Sequence, residues 1–201
     1  MQRKSVPNDV RTRKTKRALL KAARKLFVKR GFGNTGTPEI ATEAGVTRGA
    51  LYHHFADKTD LFRAVVEEEA RKVASDIAAD TYDTMDARAA LIAGGEAYFT
   101  SMLVAGRAHL LLIEGPSVLG PQAMAEIDKR NGANALYEGL EVAKRQGLLA
   151  DIPIGPLTTL LSAVFDSAAL AIATGASAAE YKHVVQTIIA SLLSRSAKKN
   201  K

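Results

Sequence analysis

Apolar residues recur at intervals of three and four along most of the chain, and no stretch alternates as a strand would. The first such stripe predicts a helix over residues 12–30, ended by Gly31. Later stripes predict helices over 58–79, 87–104, 107–114, 121–146, 157–174 and 177–194. With the two short helices described next, the pattern predicts an all-α fold of about nine helices.

Residues 37–44 and 48–55 form two short predicted helices joined at Gly45, because glycine accepts the positive φ that a tight turn requires. Thr47 is the candidate N-cap of the second helix. One side of this unit is apolar: Ile40, Ala41, Ala44, Val46, Leu51 and Phe55. The outward side of the second helix is polar, basic and aromatic, which suits a DNA major groove. The unit is a helix-turn-helix candidate.

The charge is distributed unevenly along the chain. Residues 1–66 contain 15 Lys/Arg and 5 Asp/Glu, a net charge of +10, whereas the remainder carries −3. A basic first third joined to a mildly acidic remainder indicates a head that binds a polyanion. The alternative is a well-solvated basic face with no such partner. The coincidence with the helix-turn-helix pattern favours nucleic acid.

The composition excludes several classes of site. Cysteine is absent, which excludes disulfides and thiolate metal sites. No apolar run follows the basic N-terminus or approaches the ~20 residues of a membrane span, so we expect a cytoplasmic protein with no membrane partner. His53 and His54 are adjacent, point about 100° apart on a helix and cannot chelate one ion together. No metal or cofactor is expected.

The last two predicted helices, 157–174 and 177–194, are apolar over much of their circumference. Such helices must be covered on two sides. The domain core covers one side, and a second copy of the chain can cover the other as an isologous four-helix interface. The alternative is that both are ordinary core helices of one monomer. We expect a homodimer.

Residues 15–66 resemble the tetracycline-repressor (TetR) family of bacterial transcription regulators. The resemblance lies in Leu26-Phe27, Gly31-Phe32, Thr35, Ile40-Ala41, Ala44-Gly45-Val46-Thr47, Gly49, Leu51-Tyr52-His53-His54-Phe55, Lys58 and Leu61-Phe62. It implies a homodimer that represses transcription from a palindromic operator in double-stranded DNA and releases it when a small molecule binds. The implied organisation is a flexible basic arm (1–11), a three-helix helix-turn-helix domain (12–57), a connecting helix (58–80) and an effector-binding and dimerisation domain (81–201).

The resemblance also implies which residues meet DNA. They are Gly36, Thr37, Thr47, Arg48, Gly49, Tyr52, His53, His54 and Lys58. Arg48 is the candidate for base readout, because its guanidinium can make two hydrogen bonds to a guanine edge. Tyr52, His54 and Lys58 are candidate phosphate contacts. Gly36 departs from the Ser or Thr usual in the family, so a phosphate contact there is better assigned to Thr37 or to a backbone N–H.

An effector pocket would be lined by apolar side chains with a few polar groups. The candidates on the later helices are Tyr98, Phe99, Met102, His109, Met124, Tyr137, Phe165 and Asp166. Core packing is the alternative explanation for each of them. The sequence does not identify the effector.

Two other functions compete with a sequence-specific regulator. One is a non-specific architectural DNA-binding protein, which would bind operator and random DNA alike. The other is an enzyme. The sequence contains no thiol nucleophile, HExxH motif, Walker loop or nucleophile elbow, so we do not expect an enzyme.

Overall fold

The computed structural model describes residues 8–81, 85–131 and 133–193, and within those ranges it contains ten helices and no strand. The helices are α1 (Asn8–Arg30), α2 (Thr37–Glu43), α3 (Arg48–His54), α4 (Lys58–Asp80), α5 (Ala87–Met102), α6 (Arg107–Leu119), α7 (Pro121–Asn131), α8 (Ala133–Arg145), α9 (Ile154–Ala173) and α10 (Ala178–Leu192). The all-α prediction is confirmed. We call α1–α3 the head and α5–α10 the body; α4 packs against both.

The head is built around three aromatic rings. Phe27 of α1 lies 5.1 Å from Phe62 of α4, and Phe32 lies 5.0 Å from Phe62, both centroid distances in edge-on geometry. Leu51 and Phe55, at the two ends of the last turn of α3, are buried in the same core. Burial of these apolar side chains fixes which side of α3 remains accessible.

Short-range signals set the boundaries of α3. Gly45 has φ +66° and ends α2, since only glycine adopts that conformation without strain. The Thr47 hydroxyl oxygen then accepts a hydrogen bond from the Ala50 N–H at 3.1 Å and caps α3 as predicted.

The first helix begins earlier than predicted, at Asn8 rather than residue 12. Its first turn contains Asp9, whose carboxylate accepts from Arg13 at 2.8 Å, and both features stabilise a helix N-terminus. Residues 8–11 of the predicted flexible arm are therefore helical. Residues 1–7 of that arm lie outside the described residues.

The prediction that Gly115-Pro116 ends a helix is wrong, since α6 continues to Leu119. A π-helical turn over Leu110–Glu114 precedes the proline, and the Gly115 N–H donates to the Leu110 carbonyl. In a regular α-helix the Pro116 ring would meet the carbonyl four residues before it. The wider turn accommodates the ring, and the helix is not broken.

Two further boundaries differ from prediction. The predicted single helix over 121–146 is described as α7 and α8, on either side of residue 132, which lies outside the described residues. The helix predicted over residues 157–174 begins earlier, at Ile154, with Pro153 as its N-cap residue. Proline is favoured next to a helix start, because its φ suits the first turn and its missing N–H would be unpaired there.

Of the single helices in the described residues, only α9 is long and apolar enough to span a membrane; its mean hydropathy is 1.5. We had expected no stretch of that kind. A third of the residues in its most apolar segment are buried within the protomer, where the helix packs against α5, α8 and α10. The most exposed large apolar side chain in α9 is Leu160, at 67%.

Close packing explains the Gly94-Gly95 pair, which does not interrupt α5. A Cβ at Gly95 would lie 3.0 Å from the Phe165 ring of α9. The absence of a side chain therefore allows α5 and α9 to approach each other in the body.

A buried carboxylate joins head and body. Glu69 of α4 is fully buried; its Oε1 forms an ion pair with Arg24 Nε of α1 and its Oε2 accepts a hydrogen bond from Arg107 Nε of α6, both at 3.0 Å. Lys72 adds a third contact at 2.8 Å. The same Arg107 donates to the Ser101 carbonyl at 2.8 Å, which ties the end of α5 into the cluster.

Burial by itself would raise the pKa of Glu69. Hydrogen bonds from Lys72 and Arg107, together with the charge of Arg24, outweigh it and hold the pKa below its ordinary value. Glu69 is therefore ionised in the folded protein at neutral pH. Its negative charge is the shared counter-charge of three cations, one each from α1, α4 and α6.

We predict that Glu69→Gln lowers the free energy of unfolding at pH 7 by about 3–5 kcal/mol, because it removes the negative charge between the buried guanidinium of Arg107 and the half-buried guanidinium of Arg24. The folded pKa is depressed, so this contribution is present above the unfolded value and is lost as the pH falls through the folded value. Urea unfolding at pH 7 and below pH 4 measures both effects. The difference in free energy of unfolding between wild type and variant should be smaller in acid than at pH 7.

Glu43→Gln is the matched control, because Glu43 also pairs with a lysine, Lys25 at 2.6 Å, but on the surface. It should have a much smaller effect. Equal losses for the two variants, or a gap that widens in acid, would contradict the assignment of Glu69 as the junction.

Candidate nucleic-acid interface and ligand cavity

The accessible side of α3 carries most of the candidate DNA contacts. Thr47, Arg48, Gly49, Tyr52 and His53 are exposed and His54 is half-buried. A Cβ at Gly49 would meet no atom closer than 3.9 Å, so nothing in the protein itself requires glycine there for space. These residues form one surface, because the opposite side of α3 is fixed in the core by Leu51.

Tyr52 connects α3 to the start of α2. Its hydroxyl lies 3.0 Å from the Thr37 hydroxyl, a hydrogen bond between the two helices. Hydrogen bonds with Thr37 and Arg48 lower the pKa of Tyr52. The phenol is nevertheless exposed, with 47% of its surface accessible. Thr37, Arg48 and Tyr52 therefore present three hydrogen-bonding groups at one place.

The N-cap position of α2 is Gly36, which has no side chain to cap the helix. Glu39 supplies the reciprocal half of a capping box, because its Oε2 accepts from the Gly36 N–H at 3.2 Å. Its Oε1 accepts from Arg30 at 2.7 Å, and the backbone and arginine contacts lower the pKa of Glu39. Thr37 is the nearest hydroxyl to this helix start.

Lys58 is partly engaged by the protein. Its ammonium donates to the Phe32 carbonyl at 2.9 Å and lies 4.1 Å from the centre of the Phe32 ring. A lysine ammonium has three donors, so two remain after this contact. The group sits at the start of α4, where free N–H groups also favour an anion.

The two histidines differ in environment. His54 is half-buried, and burial, with the charges of His53 and Lys16, lowers its pKa. It is therefore neutral at pH 7 and would meet a phosphate as an N–H donor rather than as a cation. The rings of His53 and His54 are 5.4 Å apart at 69°. Within the described residues no three His, Cys, Asp or Glu side chains converge on a metal-sized site.

A cavity of about 860 Å³, partly open to solvent, lies between α4 and the body. Helices α4 to α9 all contribute to its wall, which is mostly aliphatic. Five of the eight candidate effector residues lie in the lining: Tyr98, Met102, Met124, Phe165 and Asp166. This volume is in the range of pockets that bind drug-sized molecules.

Three candidate effector residues lie elsewhere. Phe99 is buried beside Phe165, at a ring distance of 5.5 Å, but belongs to the core rather than the cavity wall. His109 and Tyr137 are exposed, and neighbouring residues of their helices form the wall instead. Consecutive helical residues point in directions about 100° apart, so His109 and Tyr137 face away from the cavity although residues close to them in sequence line it.

The sequence analysis missed two carboxylates in the wall, Asp128 of α7 and Glu138 of α8. Each lies in the apolar stripe of its helix: Asp128 follows Met124 by four residues, and Glu138 precedes Val142 by four. A charged residue within an apolar stripe is the signal that would have identified them.

Burial and mutual repulsion perturb the acids of the cavity. The Tyr98 hydroxyl donates to Asp166 Oδ1 at 2.5 Å, and burial, with the charge of Asp166, raises the pKa of Tyr98. Burial also raises the pKa of Asp166, against the opposing hydrogen bond from Tyr98. Burial and the charge of Asp166 raise the pKa of Asp128. By accessible surface, Asp128 and Glu138 are exposed and Asp166 is half-buried, although all three line the same cavity.

The model of the tetR family of bacterial regulatory proteins matches residues 19–65, the head and the start of α4. The model of the tetracyclin repressor-like C-terminal domain matches residues 88–195, more than half of the chain. The chain belongs to the TetR family. The sequence resemblance over the head is thereby confirmed, and the body, which sequence reasoning matched only in outline, is assigned to the same family.

Curated relatives of this TetR-family chain are transcription regulators by name. The transcriptional activator FasR of Mycolicibacterium smegmatis is 35% identical over 109 residues, covering 54% of this chain and 50% of FasR. The transcriptional repressor BepR of Brucella suis is 48% identical over 52 residues, covering 26% of this chain and 25% of BepR. The chain therefore spans between a quarter and half of the length of these relatives.

Solved structures extend the likeness to the whole fold. A TetR-family regulator from Pectobacterium atrosepticum is 27% identical with a TM-score of 0.70, covering 92% of this chain and 94% of its own. A TetR-family regulator from Syntrophomonas wolfei has a TM-score of 0.78 at 17% identity, covering 94% and 99%, and shows the fold alone.

Proposed function

We propose that this TetR-family protein is a dimeric regulator that reads operator bases with α3 and is released from DNA by a ligand bound in the body cavity. The observation that carries the proposal is the accessible side of α3, where Arg48 and Tyr52 are exposed while Leu51 is locked in the core. A short helix held this way can enter a major groove without unfolding any part of the head.

Base readout falls to Arg48, with Gly49 allowing the helix backbone to lie close to DNA. Thr37 and Tyr52 contact a phosphate together, since their hydroxyls already meet at 3.0 Å. The two free donors of Lys58 and the first N–H groups of α4 hold another phosphate. Thr47, His53 and His54 complete the interface, and the start of α2 at Gly36 approaches DNA through its backbone.

Dimerisation is assigned to α9 and α10. These helices pack on each other and carry three of the exposed large apolar residues, Leu160 (67%), Val184 (54%) and Tyr181 (38%). A second copy covers these side chains in an isologous four-helix interface. A two-fold dimer then presents two α3 helices to a palindromic operator.

The cavity communicates with the head through α6. Leu111, Leu112 and Pro116 of this helix line the cavity. From the same helix, Glu114 Oε1 accepts a hydrogen bond from the Phe32 N–H at 2.8 Å, and Phe32 also holds Lys58. A ligand that displaces α6 therefore acts on residues beside the DNA-binding surface. Such a ligand favours release of the protein from DNA only if it binds the arrangement that cannot bind DNA more tightly than the arrangement that can.

The direction of the transcriptional response depends on where the operator lies. FasR is named an activator and BepR a repressor. We favour repression relieved by the ligand, in the cytoplasm where the bacterial chromosome is accessible. A specific regulator should prefer its operator to random DNA by roughly 10³ or more at physiological salt, which separates it from an architectural DNA-binding protein.

We predict that Arg48→Ala weakens operator binding by about 1–3 kcal/mol and relaxes specificity at one base position per half-site, because the bidentate contact is lost. Lys58→Ala should weaken binding to all sequences alike and reduce the salt dependence, because it removes a phosphate contact. Fluorescence anisotropy on matched and mismatched operators at several salt concentrations measures both effects.

Arg88→Ala is the control for Arg48→Ala, since Arg88 is an exposed arginine in the body and its loss changes the net charge equally. It should leave specificity unchanged. Equal losses for Arg48→Ala on matched and mismatched sites would contradict base readout by this residue.

We predict that Leu160→Glu converts the dimer into monomers, because a charge at the centre of an apolar interface is desolvated without a partner. Ile113→Glu is its control: Ile113 is also exposed, at 42%, but lies in α6. Analytical ultracentrifugation should give a monomer for the first variant and a dimer for the second. A monomeric wild type, or two dimeric variants, would reject this interface.

A further inference from the structure

The cavity wall carries charge of one sign. Three carboxylates line it, Asp128 from α7, Glu138 from α8 and Asp166 from α9, and no lysine, arginine or histidine of the described residues does. This is unexpected in a basic protein with a formal net charge of +7. The acidity belongs to the cavity and not to the chain as a whole.

No lysine or arginine of the described residues lies within 4.0 Å of Asp128, Glu138 or Asp166, whereas the carboxylate of Glu69 has three such partners. Asp166 accepts one hydrogen bond, from the neutral hydroxyl of Tyr98. Asp166 is half-buried, and Asp128 and Glu138 line the same cavity with exposed surface, so a bound cation would be attracted by all three and would lose little to competing cations among the described residues.

Aromatic rings stand beside the carboxylates. Tyr98 and Phe165 both line the cavity, with ring centroids 5.7 Å apart at 70°. Asp166 follows Phe165 in sequence and accepts a hydrogen bond from the Tyr98 hydroxyl, so one carboxylate and two aromatic rings lie together in the cavity wall. Ring faces attract cations, and more strongly where water is excluded. The rest of the wall is mostly aliphatic, with two methionines and the hydroxyl residues Thr81, Ser162 and Ser167.

From this juxtaposition we propose that the cavity binds a hydrophobic organic cation, a protonated amine or quaternary onium ion, with its charge held by Asp128 and Asp166 beside the Tyr98 and Phe165 rings. That this cation acts as the effector rests on the function proposed above; its binding does not. An anionic ligand such as a fatty acid would face three carboxylates with no counter-charge. A neutral apolar ligand would leave the carboxylates unpaired.

Tetraphenylphosphonium and tetraphenylborate provide a direct test, because they share one shape and carry opposite charges. Isothermal titration calorimetry on the full-length protein should give at least tenfold tighter binding for the phosphonium ion. Decylammonium and decanoate repeat the comparison with a flexible chain and remove dependence on one shape. Binding of neither cation, or tighter binding of either anion, overturns the proposal.

Paired variants locate the cation. Asp128→Asn combined with Asp166→Asn should weaken binding of both cations at least tenfold and should not weaken binding of the anions. Glu126→Gln is the matched control, because Glu126 lies two residues from Asp128 in α7 but is exposed, pairs with Arg130 at 3.5 Å and does not line the cavity. It should bind as wild type. Unchanged cation binding in the double variant overturns the proposal, provided circular dichroism shows that the variant is folded.

The same preparations distinguish this inference from the proposed function. Cation binding without operator preference would reject the regulator and leave the cavity assignment intact. Operator preference with no cation preference would reject the ligand class and leave the regulator intact. Operator binding weakened by the bound cation in wild type, but not in the double variant, would support both.

Discussion

The attachment of head to body depends on one buried carboxylate. Glu69 gathers Arg24 from the head, Arg107 from the body and Lys72 from its own helix, all within 3.0 Å. A buried charge tolerates few rearrangements, because any movement that separates it from a partner exposes an uncompensated charge to a poorly solvated interior. The orientation of α3 relative to the body is therefore set by a strict electrostatic requirement as well as by apolar packing.

The junction and the cavity share two helices. Of the three helices that meet at Glu69, α4 and α6 also line the cavity, and α6 reaches the head a second time through Glu114 and Phe32. The carboxylate environments differ in kind: Glu69 is fully buried and has three cationic partners, whereas Asp128 and Asp166 have none among the described residues. The paired acid fixes the junction, and the unpaired acids are available to the ligand proposed above.

Local signals made the head predictable from sequence. Gly45, the Thr47 cap and the apolar side that includes Leu51 act within a few residues of one another, so spacing alone identified α2, α3 and the accessible side of α3. The junction was not identified, although Glu69 lies in the apolar stripe of α4, four residues after Val65 and four before Val73. Its burial follows from the meeting of three helices that are distant in sequence.

The cavity was only partly predictable for a related reason. Tyr98, Phe165 and Asp166 were identified by residue type, but His109 and Tyr137 were assigned to the wrong side, because helix phase relative to a distant partner is a tertiary property. The continuation of α6 past Pro116 likewise depended on a π-helical turn that no sequence rule indicated. Asp128 and Glu138 needed a closer examination of charges inside apolar stripes.

The most direct test of the account is selection of DNA from a random library with the full-length protein. The proposed two-fold dimer, with one α3 helix in each protomer, requires a palindromic motif whose half-sites have one fixed spacing, about one helical turn or a multiple of it. We expect a single motif of that kind to be enriched. Enrichment of isolated half-sites, of half-sites at variable spacing, or of no motif would contradict it.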